Sequence, residues 1–222
     1  MGRSVLVTGG AGGLGGAVTA AFAEAGWRTV VPYRSAEPSG AVAVRADLSD
    51  PDSVAEVARV ASEDADAPLR AVVNLVGGFA MGGRVHETPI AEFEAQFAAN
   101  LRPTYLVCAA TLPHLMAAGG GSIVCVSSKA AQNPFPGAAG YVASKAAVLA
   151  LVAALDVEYG KDGVRVNAVV PGVIDTPANR RDMPDATSKS GVAPADIAKT
   201  ILFLAGDESS TISGATIPVD RV

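Results

Sequence analysis

The sequence predicts an α/β protein: a doubly wound parallel sheet of about seven strands with helices on both faces, folded as a single domain over residues 1–222. Three observations lead there. Short runs rich in β-branched residues alternate with longer Ala-rich runs of helical character. Most of the short runs are continuously apolar, without the period-two alternation of a half-exposed strand, so both faces are covered. A chain of 222 residues, half of them hydrophobic, can bury one large core, and no repeat or composition break divides it.

In order, the strand runs are Val5–Val7, Thr29–Val31, Ala41–Val44, Ala71–Leu75, Ser122–Ser127, Arg165–Val169 and Ala215–Val219. Helical patterns cover Leu14–Ala25, Pro51–Ser62, Pro89–Ala118, Gly140–Tyr159 and Pro194–Leu204. Pro51 and Pro194 suit a first helical position, where the missing N–H costs nothing. One connection is too short for the pattern. Few residues separate Val31 from Ala41, and Pro38 and Gly40 are among them, so the helix expected between the second and third strands is missing or reduced to a turn.

Composition excludes several classes. A formal charge of −5 does not suit a nucleic-acid surface, which needs clustered Lys and Arg. No run of about 18 uncharged apolar residues is present, so no membrane partner is expected. Cys108 and Cys125 sit in apolar surroundings and read as buried free thiols, and the protein is expected in the cytoplasm. His86 and His114 have no neighbours that suggest a metal site or a nucleophilic triad, and no metal is expected.

Chemistry enters with the turn after the first strand. Thr8-Gly9-Gly10-Ala11-Gly12-Gly13-Leu14-Gly15 joins a strand to a helix. Glycines allow the tight turn and let backbone N–H groups approach a pyrophosphate, and the helix N-terminus favours its charge. This is the phosphate-binding turn of a Rossmann-type dinucleotide site. Further on, Tyr141 and Lys145 lie four apart on one helix face. A lysine ammonium near a phenol lowers its pKa, which would fit the tyrosine to exchange a proton with a carbonyl or alcohol oxygen.

With these residues the chain resembles the single-domain short-chain dehydrogenase/reductases along essentially its whole length. Thr8, Gly9, Gly13 and Gly15 match the family's TGxxxGxG. Asp47-Leu48 follow the third strand, and Asn74 and Gly77 end the fourth. Asn100 falls in the long fourth helix, Ser128 stands thirteen residues before Tyr141, and Pro171-Gly172 and Thr176 follow the sixth strand. The resemblance implies an NAD(P)-dependent enzyme passing hydride between its cofactor and a small carbonyl or alcohol substrate. It makes Tyr141 the general acid or base and Lys145 the group that lowers its pKa and holds the nicotinamide ribose. Ser128 would orient the substrate oxygen, Ser127 replacing it only if the strand end is offset, and Asn100 would link Lys145 to solvent. The same resemblance places Thr8, Gly9, Gly13, Leu14, Gly15, Asn74 and Gly77 at the cofactor, Asp47 and Leu48 at the adenine, and Pro171, Gly172, Ile174 and Thr176 near the nicotinamide.

NADP(H) is favoured over NAD(H). Arg34 stands at the end of the second strand, where an acid would take a ribose hydroxyl and an arginine suits a 2′-phosphate. Against this, the glycine turn carries no basic residue, and Glu37 lies close by. Phe79, Met81, Gln132, Asn133, Pro134, Phe135, Asn179 and Met183 are candidates for the substrate pocket. The wording Asp175-Thr176-Pro177 through Met183-Pro184 is similar to the dihydropteridine reductase branch, although Arg34 and Ser128 depart from it. Arg180, Arg181 and Lys189 would serve a reductase of carrier-bound 3-oxoacyl thioesters. A nucleotide sensor without catalysis is the third class, and it has no use for a tuned phenol. Resemblance also implies a homodimer or homotetramer packed through the long fourth and fifth helices.

Overall fold

The computed structural model describes residues 2–221. Seven strands form one wholly parallel sheet in the order β3-β2-β1-β4-β5-β6-β7. They are β1 (Ser4–Thr8), β2 (Arg28–Tyr33), β3 (Val42–Arg45), β4 (Leu69–Asn74), β5 (Gly121–Val126), β6 (Val164–Pro171) and β7 (Thr216–Val219). The strand order reverses between β1 and β4, and a crevice opens there beyond their carboxyl ends.

Continuous apolar strands require cover on both faces, and the chain supplies it. Leu6, Val72, Ile123 and Val166 point into a core shared with α2 (Pro51–Ser62), α4 (Arg102–Ala117) and α5 (Ala139–Tyr159). Their neighbours Val5, Val7, Val73 and Val124 point the other way, onto α1 (Gly13–Glu24) and α8 (Pro194–Ala205). Ile197, Ile201 and Leu204 form the buried stripe of α8 at helical spacing. α5 is long and apolar enough to cross a bilayer, with a mean hydropathy of 1.6 over its most apolar stretch. Here it lies along the sheet, with Val148, Val152 and Leu155 in the core and Lys145 inside.

The structure departs from the sequence reading in two places. The single helix expected over Pro89–Ala118 is two helices, α3 (Ile90–Asn100) and α4, joined at Leu101. Pro103 sits in the first turn of α4. Carried into one continuous helix, its ring would clash with the carbonyl one turn upstream and leave it unbonded. The break leaves Asn100 at a helix end, where its side chain reaches across to neighbouring elements. The segment after Ile174, where the sequence reading named no helix, forms two short helices, α6 (Pro177–Asp182) and α7 (Pro184–Ser190). Thr176 caps α6 by accepting from the Asn179 N–H.

The short link after β2 is as the sequence indicated: residues 34–41 contain no helix, and Gly40 takes φ +74°. β3 is therefore only partly covered, and the crevice stays open at that end.

Candidate active site

The crevice between β1 and β4 holds a cleft of about 730 Å³. Gly9, Gly13, Leu14 and Gly15 line one wall, Arg34, Asp47 and Leu48 the far end, and Gly77 the near end. The glycine turn is shaped by close approach: a Cβ at Gly15 would overlap the Gly9 carbonyl, and one at Gly13 would stand 2.9 Å from Thr176 Cγ2. No side chain caps α1 at Gly12. The first N–H groups of that helix therefore open onto the cleft as an anion site. The volume, the bare helix end and the approach of Thr176 fit a dinucleotide running from Arg34 towards Gly77.

Two residues expected at the cofactor lie beneath the cleft floor instead. Thr8 is buried; its hydroxyl donates to Val73 O and accepts from Leu75 N. Asn74 is also buried, and its amide approaches the thiols of Cys108 and Cys125 at 3.4 and 3.7 Å, while its Oδ1 has no partner. Both hold the end of β4 in place and shape the floor without lining it. Cys108 and Cys125 are free buried thiols, in agreement with their apolar sequence context.

Asn100, Ser128, Tyr141 and Lys145 converge at the near end. Asn100 is fully buried; its Oδ1 accepts from Gly78 N at 2.9 Å, and its Nδ2 donates to Ser144 Oγ at 3.0 Å. Ser144 in turn donates to the Tyr141 carbonyl. Asn100 thus ties the loop after β4 to the first turn of α5. Gly77 must lack a side chain, because a Cβ there would stand 2.5 Å from Asn100 Oδ1 and 3.0 Å from Lys145 Nζ. Lys145 Nζ donates to Val126 O at 3.1 Å, and Ser127 Oγ donates to the Lys145 carbonyl. Ser127 is consequently buried and engaged, which leaves Ser128 as the serine beside the phenol.

The electrostatics correct one expectation. Burial pushes the Tyr141 phenol up from its ordinary value, and hydrogen bonding with Ser128 opposes this only in part. Lys145 does not lower it, because the ammonium is turned to the Val126 carbonyl. The lysine itself is brought down to about 8 by burial, with the Cys125 thiol opposing. Two desolvated groups, one an acid held protonated and the other a cation held weakly, face the same space.

On the substrate side, Phe79 packs edge-on against Tyr141, and Phe135 packs against Phe79. Gln132 and Asn133 lie exposed in the same loop as Phe135. Asn179 does not present a free amide: its Nδ2 donates to Ile174 O at 2.8 Å, which braces the loop under α6. Met183 is the joint between α6 and α7. The sequence reading missed Asp220, whose carboxylate pairs with Lys129 at 2.7 Å and lies against Gly172. No local signal marks it, because the contact joins positions 91 apart.

A family model described as enoyl-(acyl carrier protein) reductase matches residues 9–221. The chain belongs to the short-chain dehydrogenase/reductase family. Among curated members it is 34% identical over 245 residues to the 2-(R)-hydroxypropyl-CoM dehydrogenase of Xanthobacter autotrophicus, covering 99% of this chain and 98% of that one. It is 32% identical over 227 residues to the 3-oxoacyl-[acyl-carrier-protein] reductase MabA of Mycobacterium bovis, covering 98% and 91%. A solved short-chain dehydrogenase/reductase family protein matches with TM-score 0.89 at 36% identity, over 98% of this chain and 95% of that one. The structure of ElxO with NADP bound matches with TM-score 0.91 at 26% identity, over 99% and 97%. This short-chain dehydrogenase/reductase is accordingly an NAD(P)-dependent oxidoreductase with the Rossmann-type sheet that its sequence announced.

Proposed function

We propose that the enzyme transfers hydride between NADP(H) and a small carbonyl or alcohol compound, with Tyr141 as general acid in reduction and general base in oxidation. The observation that carries this reading is the close approach of Asn100 and Lys145 to Gly77, which lines the cleft, with Ser128 hydrogen-bonded to the Tyr141 phenol. The nicotinamide, when bound, supplies or accepts the hydride. The rest is done by this chain. Ser128 donates to the substrate oxygen and sets it beside the phenol. Tyr141, held protonated by burial, passes its proton to that oxygen as negative charge develops. Lys145 keeps two N–H donors beyond the bond to Val126, which suit the ribose hydroxyls. The Asn100 bridge fixes α5 against the Gly77 loop. Pro171, Gly172, Ile174 and Thr176, at and beyond the end of β6, serve the nicotinamide end in this reading.

Arg34 supports NADP(H). It stands on the rim of the cleft near Asp47, whose carboxylate is held down mainly by Ser49 and to a lesser degree by Arg34. Glu37 accepts from the Tyr33 hydroxyl at 3.4 Å and keeps its negative charge at this rim, which works against the phosphate. Assembly as a homodimer or homotetramer rests on the α4–α5 surface, where Tyr105 is 57% exposed beside Leu101, Ala147 and Leu151. Two reduced, buried thiols favour the cytoplasm.

Titration with NADPH and NADH, followed by nicotinamide fluorescence, tests the reading. NADPH binds more tightly, and Arg34→Ala weakens it about tenfold or more while leaving NADH unchanged. Tighter NADH binding that ignores Arg34 would reverse the cofactor assignment, and failure to bind either nucleotide would remove the reductase reading.

A further inference from the structure

The substrate side of the cleft is aromatic, and three of the cations near it are paired with carboxylates. Phe79 lies edge-on to Tyr141, with ring centroids 4.9 Å apart at 90°, and Phe135 meets Phe79 at 6.3 Å. The two phenylalanines remain 47% and 41% exposed, although both belong to loops that are held in position. The Gly82 N–H donates to Gly137 O at 2.8 Å. Gly137 takes φ +79°, and a Cβ there would stand 2.6 Å from the Gly82 carbonyl. Only glycine allows this approach, and it closes the loop after β4 onto the loop before α5. Phe79 is thereby seated on the phenol and keeps about half of its surface exposed beside it. Three cations of the neighbouring segments are engaged, while Lys189 makes no salt bridge among the described residues. Arg180 forks onto Asp175, Arg181 pairs with Asp182 at 2.9 Å, and Lys129 pairs with Asp220 at 2.7 Å.

Resting on the reductase reading above, we propose that the substrate is a neutral ketone, or its secondary alcohol, with an apolar ring on the carbonyl carbon, and that Phe79 determines this specificity. The ring packs on Phe79 and Phe135 while the oxygen reaches Ser128 and Tyr141. Ring-on-ring contact of this kind strengthens binding about two- to tenfold beyond the area it buries. In reduction the C–H bond forms with hydride from NADPH, which becomes NADP⁺. The C=O π bond breaks, and its oxygen takes the Tyr141 proton; oxidation runs the same steps backwards. The carboxylates paired with Arg180, Arg181 and Lys129 offset in part their attraction for an anionic thioester.

The test uses the full chain with NADPH and three substrates: acetophenone, 2-octanone and acetoacetyl-coenzyme A. Acetophenone is expected to give a kcat/KM about tenfold above either of the others. Phe79→Ala lowers kcat/KM for acetophenone about tenfold, through KM, and changes 2-octanone by about twofold or less. Phe79→Leu, which keeps an apolar side chain, falls between them. Preference for acetoacetyl-coenzyme A, or an equal loss on both ketones in Phe79→Ala, overturns the substrate class and leaves the reductase reading standing. No turnover of any of the three above that of Tyr141→Phe overturns the reductase reading, and this inference with it.

Discussion

The nucleotide half of the cleft is made of main chain at the ends of buried strands, whereas the substrate half is made of side chains carried on loops. In the first half the decisive groups are the bare N-terminus of α1, the Gly9–Gly15 contact and the Gly77 approach to Lys145. A backbone site of this kind is fixed as soon as the sheet forms. In the second half Phe79, Phe135 and Met81 are 47%, 41% and 59% exposed, and they are placed by one backbone hydrogen bond between two loops. The comparison teaches where variation is tolerated. Changes in the nucleotide half strike the sheet itself, while changes in the substrate half alter a surface that the core does not need. Tyr141 and Lys145 stand on the seam, at the first turns of a core helix.

The largest expected effect lies on that seam. Tyr141→Phe removes the proton donor and leaves the nucleotide half untouched, so kcat falls about 10³-fold while NADPH binds as in the wild type. A parallel loss of NADPH affinity, read by fluorescence, would show that the two halves are not separable at this residue.

Next comes Lys145. Burial brings it from an ordinary 10.5 to about 8, so the folded state carries a cation it would hold more easily in water. The shift corresponds to roughly 3 kcal/mol, and loss of the bond to Val126 O offsets about 1. Lys145→Met is therefore expected to stabilise the nucleotide-free protein by about 2 kcal/mol at pH 7 while abolishing turnover, measured by urea denaturation. The sign follows from proton binding. Between pH 8 and 10.5 the unfolded chain keeps a proton that the folded chain has released, so wild-type stability rises with pH across that window. The advantage of the methionine variant shrinks over the same range, and a gap constant with pH would assign it to packing alone.

The smallest effect belongs to the substrate half. The Lys129–Asp220 pair is half exposed, and such pairs contribute about 0–1 kcal/mol. Asp220→Asn should leave the melting temperature within about 2 °C. Because Lys129 follows Ser128 directly, KM should rise about two- to threefold with kcat unchanged. A large fall in kcat would place Asp220 in the positioning of Ser128 and draw this contact into the seam.

Elements whose information is local were legible in sequence. The apolar strand runs, the glycine turn after β1, the Tyr141–Lys145 spacing and the missing helix after β2 were each read within about a dozen residues. Asn100 was found by its place in a family pattern, but its role as a bridge between Gly78 and Ser144 was not, because the partners lie 22 and 44 positions away. The break at Leu101 was missed although Pro103 marks it, because proline is also tolerated in a first helical turn, and periodicity alone does not say where that turn begins.

By itself the sequence determined the parallel sheet, the glycine turn after β1 and the Tyr141–Lys145 spacing. Each depends on which side chains, or which absent side chains, follow one another along the chain. The tertiary structure decided what surrounds them. It sent Thr8 and Asn74 below the cleft floor, turned Lys145 to the Val126 carbonyl, raised the Tyr141 phenol by burial and seated Phe79 on its ring. These outcomes depend on desolvation and on contacts between distant segments, which exist only once the chain has closed around them.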